Sequence, residues 1–109
     1  MAVAIRTRVQ VPAQAKRGEV IQVRAIAAHH METGFRHNEM GVLIPRDIIK
    51  TFVCTYNGVE VFRAELFPAT AANPFIEFTT VATESGTLRF EWRGDNGYTA
   101  SDAASITVV

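Results

Sequence analysis

The sequence contains a single cysteine, carries no net charge and lacks a long apolar run. One thiol, Cys54, excludes an intramolecular disulfide and a cluster of thiolate metal ligands. Eleven basic residues balance eleven acidic ones, and because the arginines are scattered, no electrostatic surface for nucleic acid or anionic lipid is indicated. No segment approaches the roughly 20 apolar residues of a membrane span. We therefore expect neither nucleic acid nor a membrane as a partner.

The N-terminus also lacks the uninterrupted apolar stretch of a secretory signal. From Val3 to Val11 apolar residues alternate with polar ones, which is the period of a half-buried strand. By its own sequence, the chain is expected to stay in the cytoplasm.

Length and alternation predict one β-rich domain spanning residues 1–109. The chain is 48% hydrophobic and 20% charged, which is the composition of a single globular unit. Alternating segments without a helical period predict strands at 3–11, at 19–28, twice within 48–66, and at 75–81, 87–93 and 105–109. About seven short strands separated by turn signals predict an all-β fold, an immunoglobulin-like antiparallel β-sandwich.

The two runs within 48–66 predict a hairpin around Asn57-Gly58, a pair that tolerates the positive backbone angles of a tight turn. Cys54 then alternates with Phe52 and Tyr56, which favours a buried, inert thiol over a nucleophile or a thiol carrier. The predicted cross-strand pairs are Tyr56 with Val59, Cys54 with Val61, and Phe52 with Arg63.

The longest connection, His29 to Arg46, holds all the histidines of the chain, namely His29, His30 and His37. One hypothesis is a copper or iron site that also uses the thioethers of Met31 or Met40. The spacing is weak, because adjacent residues of a strand point to opposite sides and Cys54 is remote from the histidines in sequence. A metal-binding β-sandwich that uses these histidines stays as the alternative function.

A second hypothesis is that this loop contacts another protein, since long loops in compact domains are usually functional. Apolar anchors would be Met31, Phe35 and Met40. Ion pairs and backbone bonds that give the loop one shape would come from Glu32, Arg36, Arg46 and Asp47. Spacing places no second catalytic group beside any of these residues, so we expect no enzyme, no catalytic residue and no cofactor. A general adhesive or receptor-type sandwich domain is a further alternative.

Four segments, taken in order, resemble the SoxZ family of the sulfur-oxidising Sox system: "HHMETGFR", "IPRDIIKTFVCTYNG", "VFRAELFPATAANPFIEF" and "ESGTLRFEW". The resemblance extends from about Val9 to Ile106. Residues that match the family pattern are His29, Met31, Glu32, Thr33, Gly34, Arg36, Ile44, Pro45 and Arg46. His30 stands where the family has a proline. The acidic residue expected shortly after Arg36 is missing, which leaves the family's loop-fixing ion pair open.

The resemblance implies a heterodimer with SoxY, in which the partner carries thiosulfate-derived sulfur on a cysteine near its C-terminus. As SoxYZ, the pair would make transient contacts with other Sox enzymes. This chain ends in "SDAASITVV", without cysteine or glycine, so the resemblance makes it the non-carrying subunit. It also implies a periplasmic location, reached by export with a signal-bearing partner.

We expect the contacts with SoxY to lie in the long loop. The predicted partner-binding residues are Met31, Glu32, Thr33, Phe35, Arg36 and Arg46. Self-association of the isolated chain through an exposed edge strand is an open alternative.

Overall fold

Two β-sheets form the part of the chain, residues 6–109, that the computed structural model describes. The strands are β1 Thr7–Gln10, β2 Gln14–Ala15, β3 Val20–Ala27, β4 Ile49–Tyr56, β5 Val59–Glu65, β6 Phe75–Val81, β7 Gly86–Gly94 and β8 Thr99–Val108. One sheet has the order β1-β3-β6 and the other the order β2-β8-β7-β4-β5. The predicted all-β, immunoglobulin-like sandwich is confirmed, with eight strands within residues 6–109 instead of about seven. Within residues 6–109, no helix is long and apolar enough to cross a membrane.

The core lies between the sheets because the strands alternate apolar and polar residues. In β3, Ile21 and Val23 are buried, whereas Gln22 between them is exposed. Aromatic rings fill the centre, where Trp92 packs on Phe52 with ring centroids 5.2 Å apart. Large buried aromatic side chains of this kind dominate core energetics.

The first strand switches between the two sheets, which the sequence prediction missed. β1 pairs with β3, and after Pro12 the chain continues as β2, which pairs in parallel with the end of β8. Proline has no N–H to offer a ladder, so the first pairing ends there. The sandwich predicted as antiparallel therefore contains one parallel pair. Residues 1–5 of the predicted strand 3–11 lie outside the described residues.

The hairpin of β4 and β5 forms as predicted, but its register differs. A β-bulge adds one residue to β5 opposite the Cys54–Thr55 step, and this shifts every pair beyond it by one position. The predicted pairs Cys54–Val61 and Phe52–Arg63 are wrong. The observed pairs are Tyr56–Val59, Thr55–Glu60, Cys54–Phe62 and Phe52–Ala64.

Cys54 lies in the core, as predicted. Its side chain is 0% exposed, and burial raises the pKa of its thiol to about 12. A thiol that stays protonated and out of contact with solvent is a poor nucleophile at neutral pH.

Three connections meet at one end of the sandwich: the β3–β4 segment, the β5–β6 segment and the β7–β8 turn. A backbone hydrogen bond joins the first two, since the Asn73 N–H donates to the His29 carbonyl at 2.6 Å. The β7–β8 turn contains a short 3-10 helix, Asp95–Gly97. The Asn57-Gly58 turn lies at the opposite end of β4, so the long loop and the hairpin turn project from opposite ends of the domain.

Candidate protein-contact surface

The segment between β3 and β4 is a two-stranded ribbon held by its own backbone bonds. Glu32 and Asp47 exchange two N–H···O bonds of 2.8 Å each. Further out, the Ile44 N–H donates to the Arg36 carbonyl at 2.8 Å, and the chain reverses at 38–42. We call residues 32–47 the loop hairpin. The segment that was predicted as a long loop therefore has a defined shape.

Met31 holds the base of the loop hairpin inside the fold. The residue is 4% exposed and has a left-handed φ of 57°. Its sulfur accepts the Ile49 N–H at 3.2 Å, at a point where the pairing of β4 with β7 is irregular. Because buried N–H groups need an acceptor, the thioether fixes this junction. Met31, which the sequence made an apolar anchor for protein contact, therefore packs in the core and does not present its side chain to solvent.

His29 is also a structural residue at this base. Its side chain is 8% exposed, and Nε2 faces Asp47 Oδ1 at 3.6 Å. Nδ1 accepts the Met31 N–H at 3.0 Å, so the proton of the neutral ring is on Nε2. The edge of the imidazole meets Tyr98, with ring centroids 4.8 Å apart.

A bidentate ion pair fastens the loop hairpin to the β7–β8 turn. Arg46 donates from Nε and from a terminal nitrogen to the two Asp95 carboxylate oxygens, at 2.9 and 3.0 Å. Asp95 also accepts the Ile48 N–H at 3.2 Å. The hydrogen bond from Arg46 holds the pKa of Asp95 below its usual value.

Gly34 allows this close approach. Its φ is +87°, and a Cβ atom at this position would lie 2.8 Å from Arg46 Cβ. A residue with a side chain would therefore be strained in its backbone and would collide with Arg46. The sequence Thr33-Gly34 thus sets how tightly the two sides of the loop hairpin pack.

Glu32 and Arg36 form an exposed ion pair on one side of the loop hairpin. A terminal Arg36 nitrogen lies 2.6 Å from Glu32 Oε1. This hydrogen bond lowers the pKa of Glu32 and raises that of Arg36. Arg36 thus pairs with a residue four positions before it, whereas the family pattern has an acidic residue after this arginine. The ion pairing that was predicted for Glu32 and Arg36 is therefore present.

The far part of the loop hairpin exposes apolar side chains. Thr33 Oγ1 accepts the Phe35 N–H at 3.2 Å and shapes the turn that presents Phe35. We call the exposed group the apolar tip; its members are Phe35 (79% exposed), Met40 (87%), Val42 (59%) and Leu43 (52%). Exposed apolar side chains concentrated on one element mark interaction sites, and aromatic residues and methionine are enriched in them.

The histidines do not gather into a metal site. Over residues 6–109, no three His, Cys, Asp or Glu side chains come together in a way that could hold a metal ion. His29 is engaged with Met31 and Tyr98 at the base of the loop hairpin, whereas His37 pairs with Leu43 in its outer part. The arrangement gives no support to the metal-binding alternative.

Sequence reasoning missed two residues that shape this surface. Asp95 received no role, although it is the partner of Arg46. Asn38 received no role, yet its Oδ1 accepts the N–H groups of Met40 and Val42 at 2.9 and 3.0 Å. The preference of asparagine for local turns of this kind is a signal that could have indicated Asn38.

Comparisons with known proteins bear on the identity of this domain. The family model described as "Sulphur oxidation protein SoxZ" matches residues 8–105. No curated protein matches the chain significantly. The chain is similar in fold to a superoxide reductase (neelaredoxin) from Ignicoccus hospitalis, with 19% identity, a TM-score of 0.74, and coverage of 94% of this chain and 80% of that one. It is also similar to the sulfur carrier protein SoxY from Chlorobium limicola f thiosulfatophilum, with 10% identity, a TM-score of 0.64, and coverage of 94% and 78%.

At these identities the structural likenesses establish a shared fold and nothing about chemistry. The family match is of another kind, because it spans nearly the whole chain, from the start of β1 to β8. The chain therefore belongs to the SoxZ family and is a component of the Sox system of sulfur oxidation.

Proposed function

We propose that this chain is the non-catalytic subunit of a heterodimer with SoxY. In this complex SoxY carries sulfur intermediates covalently on its C-terminal cysteine and presents them to the other Sox enzymes. The observation that carries the proposal is the SoxZ family match over residues 8–105.

The thiol of this chain supports the non-carrying role. A carrier cysteine must expose a nucleophilic thiolate, whereas Cys54 is 0% exposed and burial raises its pKa to about 12. The sulfur-bearing thiol of the complex is therefore assigned to the partner. In a preparation loaded with thiosulfate, mass spectrometry should find the sulfur adduct on SoxY alone, and a stoichiometric adduct on this chain would contradict the assignment.

The loop hairpin is the surface proposed to contact SoxY. Its frame is fixed by the Arg46–Asp95 and Glu32–Arg36 pairs, so little chain entropy is lost when the apolar tip is covered. Phe35 and Arg36 would contact the partner, because their side chains are exposed. Glu32, Thr33 and Arg46 would position them, and Met31 would act from the core.

A stable complex buries about 1,200 Å² or more in total, so the interface extends beyond the tip. Within it, exposed aromatic and methionine side chains are the residues from which interfaces gain most of their affinity. Placing an unpaired carboxylate among them should weaken binding strongly.

Calorimetric titration with the cognate SoxY tests the surface. Phe35→Asp and Met40→Glu should each weaken binding tenfold or more, which is about 1.4 kcal/mol per decade. Val59→Glu is the matched control, because Val59 is an apolar residue, 66% exposed, at the start of β5, and it pairs with Tyr56 at the end of β4 that is remote from the loop hairpin. Unchanged affinity in both hairpin variants would remove the loop hairpin from the interface. No binding by the wild type would contradict the pairing with SoxY itself.

We further propose that the chain acts in the periplasm, exported together with SoxY. The family match and the partner assignment support this. Cell fractionation should place the chain with periplasmic markers only when a signal-bearing SoxY is produced with it. Export without SoxY, or retention in its presence, would contradict joint export.

A further inference from the structure

β6 forms an open edge of the three-stranded sheet. Among the strands of residues 6–109, its one hydrogen-bonded neighbour is β3. Two bonds at the ends of this pair show which way its peptide groups point: the Ala82 N–H donates to the Glu19 carbonyl, and the Ala27 N–H donates to the Pro74 carbonyl.

Bonded pairs in an antiparallel ladder recur at every second residue. Given the register of β3 with β6, the even-numbered residues of β6 bond to β3. The odd-numbered residues, at 75, 77, 79 and 81, point their N–H and C=O groups to the open side. β6 thus presents a regular row of backbone donors and acceptors.

The edges formed by β5 and β1 are protected in ways that β6 is not. Proteins blunt edge strands with bulges, charges, prolines or short length. β5 carries the bulge described above and three charged residues, and β1 has four residues and ends before Pro12. β6 has seven residues, a regular register and a single charge, Glu77.

The charge of Glu77 is satisfied within its own sheet. One carboxylate oxygen accepts Arg24 Nε at 2.9 Å and the other accepts Gln22 Nε2 at 2.8 Å. At the two ends of the strand, Phe75 and Val81 are 59% and 44% exposed. The edge therefore offers apolar ends and a neutralised centre.

We propose that β6 pairs antiparallel with β6 of a second copy of this chain, about a two-fold axis at Phe78. This register sets Phe75 opposite Val81 of the second copy and Glu77 opposite Thr79. The two apolar ends meet on the outer face, and every outward N–H of one strand meets a carbonyl of the other.

Neighbouring registers satisfy these groups less well. Moving the two-fold axis from Phe78 to residue 77 places Glu77 opposite Glu77 of the second copy, and like charges directly opposite are destabilising. Moving the axis to Thr79 leaves Phe75 without a partner residue in β6 of the second copy. A pair of seven-residue strands buries less than the roughly 1,200 Å² of a stable interface, so the dimer should be concentration-dependent in the micromolar range.

Sedimentation of the isolated full chain over a range of concentrations tests the proposal. The wild type should associate to a dimer, and Thr79→Pro should weaken the dimer tenfold or more. Proline removes an outward N–H and leaves the bonds to β3 intact, since the N–H and C=O groups of residue 79 point away from β3. Thr79→Ala keeps the N–H and should dimerise as the wild type does.

A charge pair at the same position tests the register without altering the backbone. Thr79→Asp sets a carboxylate opposite Glu77 of the second copy and should weaken the dimer severalfold more than Thr79→Lys at low salt. A wild type that stays monomeric at millimolar concentration overturns the proposal. So does a dimer that Thr79→Pro leaves unchanged while the fluorescence of buried Trp92 shows a native fold.

SoxY affinity of Thr79→Pro separates this dimer from the proposed heterodimer. The variant should bind SoxY as the wild type does, because the apolar tip is intact. A monomeric wild type together with a loss of SoxY binding in Thr79→Pro would assign the edge to SoxY and overturn self-pairing.

Discussion

Replacing Cys54 with serine should destabilise the fold by about 1–3 kcal/mol. The side chain is 0% exposed and lies between Phe62 on β5 and Phe90 on β7, so no water can reach a hydroxyl there. The Thr55 carbonyl oxygen is 3.9 Å from the sulfur, well beyond the roughly 2.8 Å of a hydroxyl hydrogen bond. The serine oxygen would lie closer to Cβ than the sulfur does, and would remain unsatisfied.

Cys54→Ala separates the hydroxyl from the loss of packing. If packing alone determined stability, alanine would cost more than serine because it removes more volume. A buried, unsatisfied hydroxyl makes serine at least as destabilising as alanine. Urea unfolding followed by the fluorescence of Trp92 measures both, since the chain has one tryptophan and it is fully buried. If Cys54→Ser unfolded at the same urea concentration as the wild type, the reasoning would be refuted.

Thiol labelling at pH 8 gives a second measure of the same residue. With a pKa of about 12 instead of 9.0, the thiolate fraction is roughly a thousandfold smaller than for an ordinary cysteine. Labelling of the native chain should therefore be slow and should accelerate on unfolding. Rapid stoichiometric labelling of native protein would show that the thiol is accessible.

Three further predictions concern the loop hairpin and its base. Met31→Leu should cost about 1 kcal/mol in urea unfolding, because leucine fills similar volume but leaves the Ile49 N–H without its sulfur acceptor; an unchanged midpoint would show that the N–H finds another partner. Asp95→Asn should destabilise the chain at pH 7 through the loss of Arg46 pairing. Since the pKa of Asp95 is lowered in the fold, this stabilisation is present above the unfolded pKa of about 3.9 and is lost as pH falls through the lower folded value. The difference in free energy of unfolding between Asp95→Asn and the wild type should accordingly narrow below about pH 4. A difference that does not change with pH would contradict the ion pair. Purified chain dialysed after exposure to copper or iron should retain far less than one metal per molecule, and an equimolar metal would revive the histidine-site alternative.

The strands were predictable where alternation was strict. β3 and β7 alternate large apolar with polar residues, and both were placed to within about a residue or two. β8 was predicted only at its end, because Thr99–Ser105 carries small residues on both faces and hides the period. The β2 pairing and the bulge in β5 depend on neighbouring strands that a local pattern does not describe.

The loop hairpin also contains contacts that a local sequence pattern does not describe. Glu32 and Arg36 are close in sequence, so their pairing could be predicted from spacing. Asp95 is 49 positions from Arg46, and only the fold brings them together. Met31 was interpreted as an apolar anchor for protein contact because it lies in the long loop, whereas it packs in the core beside an irregularity in the pairing of β4 with β7.

Hydrogen exchange of the chain with and without saturating SoxY tests the proposed pairing and its location together, without any mutation. Binding should slow the exchange of amides at 35–43, in the apolar tip, while the turn at Asn57-Gly58 at the opposite end exchanges at an unchanged rate. If excess SoxY leaves exchange unchanged throughout the chain, the proposed pairing is contradicted. Protection confined to the Asn57-Gly58 end would contradict its location.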